Sequence, residues 1–246
     1  HASTVIGFRM ARPAPRLALF DLDNTLLAGD SDHAWGEFLI SRGIVDEAEH
    51  RAKNDAFYEQ YVRGELDIHG YVAFTLEPIL SLAPAALNTL RQEFVTSEVA
   101  AIMLPQAIAL VNSHRDAGDL CVIITATNEF ITQPIAAAFG VEHLIATGLE
   151  QTGEGAEQRY TGAIKGTPCY QQGKITKLNA WLDARAAEAA GGDPLASLAD
   201  SILYSDSFND LPLLNAVTTA VAVDPDPRLE AEAVARGWEI RSLRGA

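Results

Sequence analysis

The sequence predicts an α/β fold, in which a parallel β-sheet lies between two layers of helices and an all-helical domain is inserted into this core. Two observations support this fold class. The apolar run Leu17–Phe20, which suits a strand buried on both faces, is followed after residue 104 by further apolar runs that alternate with helical segments. Residues 29–98, between these two parts, keep helical spacing and show no strand-like alternation.

The predicted insert begins directly after the first strand and its polar turn. Gly29 interrupts the apolar pattern, Asp30 or Ser31 can cap a first helix, and Gly43 suits the C-terminal end of that helix. The helical pattern then continues, with breaks at Gly64, Glu77-Pro78 and Ala83-Pro84. We therefore expect a helical domain at residues 29–98 and a core formed by residues 1–28 and 99–246.

The second part of the core alternates between helices and strands. Pro105 suits the first turn of a helix that Gly118 ends, and the next apolar run is the strand 120–127. The polar, glycine-rich segment 149–166 is typical of an exposed β-hairpin. The other predicted elements are helices at 129–139, 174–187, 209–217 and 227–237, and strands at 143–147, 201–207 and 218–224. This alternation indicates a parallel sheet covered on both faces.

The composition is that of a globular protein, with 246 residues, 48% of them hydrophobic and 21% charged. The net charge of −15 repels nucleic acid and anionic membranes, so neither is expected as a partner. Cys121 and Cys169 form no disulfide framework, and the first residues lack the apolar segment of a signal peptide. We interpret residues 1–16 as a tag remnant before a start at Met10, followed by a proline-rich lead-in, and we expect a cytoplasmic protein.

Two carboxylates stand where the first strand ends. Residues two apart in a strand point to the same face, so Asp21 and Asp23 both lie at the edge where open α/β sheets bind ligands. Unit charges about 4 Å apart repel by about 4 kcal/mol at an effective dielectric of 20, and a hard cation such as Mg²⁺ removes that cost. The same residues also fit a strand followed by an Asp-Asn turn. These residues alone leave both interpretations open.

Further polar residues follow at predicted strand ends and helix starts. Thr125, in the second strand, could hold a phosphate oxygen with the N–H groups that follow it, although β-branched residues are common in any strand. Lys174 begins a helix, where the helix dipole disfavours a cation, so it is a functional candidate as well as a possible surface lysine. Asp206 and Asp210 lie about one helical turn apart, and a helix cap explains only one of them.

Together these residues resemble the haloacid dehalogenase superfamily of phosphohydrolases. The four motifs of that family are matched in order by DLDNT at residues 21–25, Thr125, Lys174, and Asp206 with Asp210. A helical insert directly after the first motif is similar to the cap of the phosphoserine-phosphatase-like branch, on a Rossmann-like core. Two departures are visible. Ser205 stands where relatives often have Gly, and Thr127 and Asn128 replace a Gly-Phe type pair.

The resemblance implies phosphoryl transfer through an aspartyl-phosphate. Asp21 would attack phosphorus, and Asp23 would protonate the leaving oxygen and then deprotonate the incoming water. Lys174, Thr125 and the N–H groups around Ala126 would hold the phosphate. The implied Mg²⁺ site uses the carboxylates of Asp21 and Asp206, the backbone carbonyl of Asp23, and Asp210 nearby or through water.

Other protein classes fit parts of this pattern. A signalling receiver domain also forms an aspartyl-phosphate beside Mg²⁺, but its early acids are usually adjacent and it lacks a helical insert. A non-catalytic binding module would not need a candidate at every reactive position. A transferase or mutase on the same scaffold differs only in the acceptor of the phosphate.

The expected substrate is a small phosphate ester that carries an amine. Asp30 lies nine residues after the predicted nucleophile, where phosphoserine phosphatases carry an acid that pairs with the substrate ammonium; alternatively it only caps a helix. Asp32 adds a second carboxylate. Thr75 stands where those enzymes have an arginine for the substrate carboxylate, so histidinol phosphate fits better than phosphoserine. His33 and Trp35 complete the predicted pocket, with Trp35 alternatively in the core of the cap.

Overall fold

The computed structural model describes residues 13–189, 191–192 and 194–245. Within these residues the strands form one seven-stranded sheet in the order β4-β3-β2-β1-β5-β6-β7. Their bounds are β1 (Leu17–Phe20), β2 (Leu120–Asn128), β3 (His143–Thr152), β4 (Arg159–Lys165), β5 (Ser201–Ser205), β6 (Thr219–Val223) and β7 (Glu239–Arg241). β4 pairs antiparallel with β3, and the other neighbours are parallel. The predicted α/β fold class is confirmed.

Helices cover both faces of the sheet, and the side chains of β1 divide between these two faces. Ala18 and Phe20 belong to the apolar cluster that includes residues of α6 (Pro105–Asp116) and α7 (Glu129–Ala138). Leu17 and Leu19 belong to the cluster with α8 (Gln172–Ala189), α9 (Leu211–Ala216) and α10 (Pro227–Arg236). All four side chains are fully buried, because successive residues of a strand point to opposite faces.

The helical insert leaves the core after Leu27 and returns at Met103, and these two residues form an antiparallel bridge. It consists of α1 (Ser31–Ser41), α2 (Glu47–Val62), α3 (Ile68–Leu76) and α4 (Pro84–Phe94). A π-helical turn at Val95–Val99 then continues into α5 (Ala100–Ile102). The domain boundary that we predict between residues 98 and 99 lies inside this turn. We call the helical insert the cap.

Three aspartates begin three helices of the cap. The Oδ1 atoms of Asp30, Asp46 and Asp67 accept backbone N–H groups of α1, α2 and α3 at 2.9, 2.9 and 3.1 Å. Side-chain oxygens at this position satisfy N–H groups that have no partner within the helix. Asp30 therefore has a structural role at the start of α1, whatever else it does.

The structure differs from the sequence-based expectations in two elements. The hairpin is present, but its first strand is the continuation of β3 to Thr152, which pairs with β4. The short edge strand β7 was not predicted. Of the predicted tag remnant and lead-in at residues 1–16, residues 1–12 lie outside the described residues.

No single helix in the described ranges is long and apolar enough to cross a bilayer. The bent pair Ile68–Ile79 and Pro84–Ile102 meets that criterion only when its two parts are taken together.

Candidate active site

The candidate site lies at the carboxyl ends of β1, β2 and β5. β1 pairs in parallel with β2 on one side and with β5 on the other, so the strand order reverses here. Open α/β sheets bind ligands at such a reversal. Asp21 follows β1 and Asp206 follows β5, and the hydroxyl of Thr25 joins them, with Oγ1 lying 3.2 Å from Asp21 Oδ2 and 3.0 Å from Asp206 Oδ1.

Lys174 supplies the positive charge of the site. Its Nζ atom donates to Asp21 Oδ1 at 3.1 Å and to Asp210 Oδ2 at 2.9 Å, and it also contacts the carbonyl oxygen of Ile124 at 3.3 Å. Burial disfavours the ammonium, but the carboxylates of Asp21 and Asp210 outweigh it and raise the pKa of Lys174 well above its usual value. Lys174 is 2% exposed, which excludes the alternative of a surface lysine.

Two of the carboxylates at the site, those of Asp21 and Asp206, suit a hard divalent cation, whereas a third, that of Asp210, already has other partners. Asp21 and Asp206 are adjacent carboxylates, and burial together with the charge of Asp21 raises the pKa of Asp206 well above its usual value. A cation between them would remove this repulsion. Asp210 is engaged differently, since Lys174 and Ser205 Oγ both contact Asp210 Oδ2, the latter at 2.7 Å. Across the described residues no three His, Cys, Asp or Glu side chains are grouped as a metal centre.

Ser205 explains one departure from the family pattern. Its hydroxyl donates to Asp210 and accepts the backbone N–H of Ser207 at 3.1 Å. The side chain therefore stabilises the loop that carries Asp206 and Asp210, which a glycine at this position could not do by a side-chain hydrogen bond.

Asp23 lies beside the predicted nucleophile, with its carboxylate held on both sides. Oδ1 accepts the backbone N–H of Ser31 at 2.6 Å, and Oδ2 accepts the hydroxyl of Thr127 at 2.7 Å. Burial and the charge of Asp30 nevertheless raise the pKa of Asp23 to about 7. A carboxyl group that can hold a proton near neutral pH suits a general acid.

The second departure from the family pattern also has a structural role. Thr127 binds Asp23, as described above, and Asn128 Oδ1 accepts the N–H of Ile131 and so caps α7 at 3.1 Å. Thr125 is 1% exposed, and its Oγ1 accepts the N–H of Thr127 at 3.2 Å. Sequence reasoning missed Thr127, although it lies two residues after Thr125 in one strand and therefore on the same face.

A cavity of about 410 Å³ opens between these core residues and the cap. Thr125, Ala126 and Lys174 line its core end, and the cap contributes carboxylates, aromatic rings and His33. These cap residues include Asp30, Asp32, Asp55, Phe57, Tyr58, Tyr61, Tyr71 and Thr75. Of the described residues, Lys174 is the only lysine or arginine that lines the cavity. The core end therefore combines this lysine with Asp21, Asp23 and Asp210, whereas the described residues of the cap end supply carboxylates and no lysine or arginine.

One predicted pocket residue does not reach the cavity. Trp35 is 1% exposed and packs edge-on against Phe94 and Phe130, with ring centroids 5.1 and 5.6 Å apart. It belongs to the apolar core between the cap and α7, so its placement in the substrate pocket was wrong. The physical reason is the i, i+3 pairing with Phe38 in α1, which turns both rings toward that core.

Contacts between the cap and the core were also missed. Gln171 Nε2 donates to the carbonyl oxygen of Gly64 and to Asn209 Oδ1, both at 3.1 Å. Asn209 Nδ2 donates to the carbonyl oxygen of Tyr61 at 3.3 Å, and the hydroxyls of Tyr61 and Ser207 lie 2.9 Å apart. Gln171 adopts a left-handed conformation, with φ of 51°. No sequence pattern indicates these contacts, which join the end of α2 to the loop after β5.

Comparisons with known proteins agree with this geometry. A family model described as haloacid dehalogenase-like hydrolase matches residues 18–215. A histidinol-phosphatase of Neisseria meningitidis serogroup C (strain 8013) is 44% identical over 228 residues, which cover 93% of this chain and 99% of that protein. The chain belongs to the haloacid dehalogenase-like hydrolases, which confirms the resemblance seen in the motifs.

Solved structures show the same fold. A crystal structure of a protein with unknown function from Bordetella pertussis Tohama I is 44% identical, with a TM-score of 0.82 and coverage of 94% of this chain and 100% of that one. A substrate-bound phosphoserine phosphatase is 14% identical, with a TM-score of 0.63 and coverage of 94% of both chains. At that identity the second likeness concerns the fold alone.

Proposed function

We propose that this hydrolase is a phosphoric monoester hydrolase that removes phosphate from histidinol phosphate. The observation that carries the proposal is the lining of the cavity, in which Lys174 lies among the aspartates of the core end and the described residues of the cap present carboxylates but no lysine or arginine. The similarity to a histidinol-phosphatase along nearly the whole chain supports the same substrate. A cytoplasmic location is part of this proposal, in keeping with the free thiols of Cys121 and Cys169.

The reaction proceeds in two steps at phosphorus. A carboxylate oxygen of Asp21 attacks phosphorus, the bond to the ester oxygen breaks, and Asp23 gives its proton to that leaving oxygen. Asp23 then takes a proton from water, whose oxygen attacks phosphorus and releases inorganic phosphate from Asp21. Lys174 orients Asp21 and offsets the charge of the phosphate, while Thr125 and the N–H groups near Ala126, which line the same cavity, would bind its oxygens.

The proposed cofactor is Mg²⁺. Asp21 and Asp206 would hold it through carboxylate oxygens, with the backbone carbonyl of Asp23 as a further oxygen donor. Asp210, which contacts Lys174 and Ser205, would act near the metal or through water. When bound, Mg²⁺ neutralises part of the negative charge shared by the phosphate and the aspartates.

No arginine lines the cavity among the residues that the structure describes, which favours an amino alcohol over an amino acid as the leaving group. Thr75 lines the cavity, and the next arginine, Arg91, instead donates to the carbonyl oxygen of Phe130 at 3.1 Å. A substrate carboxylate would lie among the carboxylates of the cap without a partner, and an unpaired buried charge costs several kcal/mol. Histidinol phosphate carries an amine and an imidazole but no carboxylate.

A phosphate-release assay tests the proposal. We expect kcat/KM for histidinol phosphate to exceed that for phosphoserine by at least about 100-fold, equivalent to about 2.7 kcal/mol, and EDTA to abolish both activities. A preference for phosphoserine would overturn the substrate assignment, and full activity after chelation would overturn the metal assignment.

A further inference from the structure

We infer that Asp32, rather than Asp30, is the residue that selects the substrate by pairing with its aliphatic ammonium group. This inference rests on the proposed function, and it assigns one residue to the recognition of one chemical group. Both aspartates line the cavity, so the distinction depends on what already binds each carboxylate.

Asp30 is committed to α1. Its Oδ1 atom accepts the N–H of His33 at 2.9 Å, and its carboxylate also faces the N–H of Asp32. These N–H groups lie at the positive end of the helix dipole, which itself stabilises an anion. Burial raises the pKa of Asp30 and these N–H contacts offset part of that effect, so hydrogen bonds of the protein already engage this carboxylate before any ligand arrives.

Asp32 also lies in the first turn of α1, but no backbone N–H of the described residues binds its carboxylate. Asp32 is 9% exposed, its Oδ2 atom has only a 3.3 Å contact with the hydroxyl of Thr127, and its buried Oδ1 atom has no hydrogen-bond partner. The hydroxyl of Tyr71 also faces this carboxylate. The hydroxyl of Thr127 is shared, because it lies closer to Asp23, at 2.7 Å. No lysine or arginine among the described cavity residues faces the cap end, so a ligand has to supply the missing positive charge.

The neighbouring charges increase this need. Burial and the charges of Asp30 and Asp23 raise the pKa of Asp32 well above its usual value, which means that the anion is disfavoured as long as the cavity holds no cation. A primary ammonium is fully charged at neutral pH, whereas an imidazole with an ordinary pKa near 6.5 is mostly neutral. The amine is therefore the group that Asp32 is suited to bind. Asp55, the other carboxylate of the cap end, is exposed to solvent.

The experiment uses the Mg²⁺-loaded enzyme and removes the charge of either Asp32 or the substrate ammonium. We compare histidinol phosphate and phosphoethanolamine with their N-acetyl derivatives and with glycerol phosphate, in the wild type and in Asp32→Asn. In the wild type, acetylation should lower kcat/KM by about 100-fold, mainly through KM, as expected when a buried charge loses its partner. In Asp32→Asn, kcat/KM for the amine-bearing esters should fall by about the same factor, and acetylation of the substrate should then lower it little further.

Two further variants serve as controls. Asp67→Asn removes a carboxylate of the cap outside the cavity while keeping a residue that caps helices, so it should retain the wild-type preference for amines. Asp30→Asn also keeps a capping residue and should change the preference less than Asp32→Asn does. The melting temperature of each variant shows whether it is folded, and the acetylated substrates test the pair in the wild type even where a variant is unstable.

Three outcomes would overturn the inference: an equal loss on all esters in Asp32→Asn, a selective loss in Asp30→Asn but not in Asp32→Asn, or no effect of acetylation in the wild type. If phosphoethanolamine shows the full pattern while histidinol phosphate is not hydrolysed, Asp32 retains its role and only the proposed substrate fails. The inference and the proposed function can thus be distinguished.

Discussion

The ammonium of Lys174 lies 3.1 Å from the carboxylate of Asp21, although the two residues are 153 positions apart in the chain. Both side chains are buried, and Asp210 contacts the same ammonium. One cation thus offsets two buried anions at the phosphate end of the cavity.

Replacing Lys174 by Met should nearly abolish turnover, with kcat reduced by at least about 1,000-fold, because the phosphate end loses its charge. The variant should also lose about 3–5 kcal/mol of stability, since Asp21 and Asp210 remain buried without their partner. Phosphate release and urea unfolding measure the two effects. Lys165→Ala, which removes an exposed lysine of β4, is the control and should change neither quantity appreciably. If Lys174→Met retains most of its activity, another cationic group must bind the phosphate.

Asp21→Asn should show no turnover, because an amide does not attack phosphorus at a useful rate. With labelled substrate, the wild type quenched in acid should carry covalently bound phosphate, and this variant should carry none. The covalent label separates loss of the nucleophile from a loss of substrate binding. A labelled Asp21→Asn protein would show that another residue is the nucleophile.

Asp23→Asn should slow alkyl phosphates more than activated aryl phosphates. A good leaving group departs without a proton, whereas an alkoxide needs the proton that Asp23 holds by virtue of its raised pKa of about 7. We expect a loss of about 100- to 10,000-fold for histidinol phosphate and a clearly smaller one for p-nitrophenyl phosphate in single-turnover experiments. Equal losses on both esters would argue against Asp23 as the acid.

The metal-free enzyme should become less stable as the pH rises from about 4 to about 7 through the contribution of its buried carboxyls. The pKa of Asp23 is about 7 in the folded protein and 3.8 when unperturbed, so the folded state binds its proton more tightly than the unfolded state does. This contribution to stability is fully present below pH 3.8 and is lost as the pH rises through about 7. The pKa values of Asp32 and Asp206 are shifted in the same direction.

Asp23→Asn isolates this effect. The difference in the free energy of unfolding between the wild type and Asp23→Asn, measured by urea titration in EDTA, should change by a few kcal/mol over this range, since one pKa unit corresponds to about 1.4 kcal/mol. A difference that stays constant with pH would mean that Asp23 titrates normally. Asp67→Asn, which removes an exposed carboxylate at the start of α3, is the reference.

Gln171→Ala should weaken the attachment of the cap to the core. The side-chain amide bonds to Gly64 and Asn209 are lost, and each hydrogen bond contributes about 1 kcal/mol. We expect KM for histidinol phosphate to rise by about 5-fold or more with a smaller change in kcat, and proteolysis within α2 to become faster. Gln172→Ala, one residue further on and exposed, is the matched control. Unchanged KM and proteolysis would show that these contacts do not hold the cap.

Much of the fold was predictable because its signals are local. The apolar run of β1, the proline at the start of α6 and the long helical stretch each report on a few neighbouring residues. The strand β7 escaped because it has only three residues, too few for a periodic pattern. The hairpin was predicted, but its first strand was not recognised as the continuation of the strand at 143–147, because β3 passes without a break from parallel to antiparallel pairing.

The sequence by itself determined which residues are the candidates for the chemistry, because the spacing of Asp21 and Asp23 and the order of the later motifs are properties of the chain. Only the tertiary structure decided how they are paired: Lys174 binds both Asp21 and Asp210, and Oδ1 of Asp30 accepts a backbone N–H while Oδ1 of Asp32 has no hydrogen-bond partner. The physical reason is that the energy of a buried charge depends on the atoms that surround it, and these come from segments far apart in the chain.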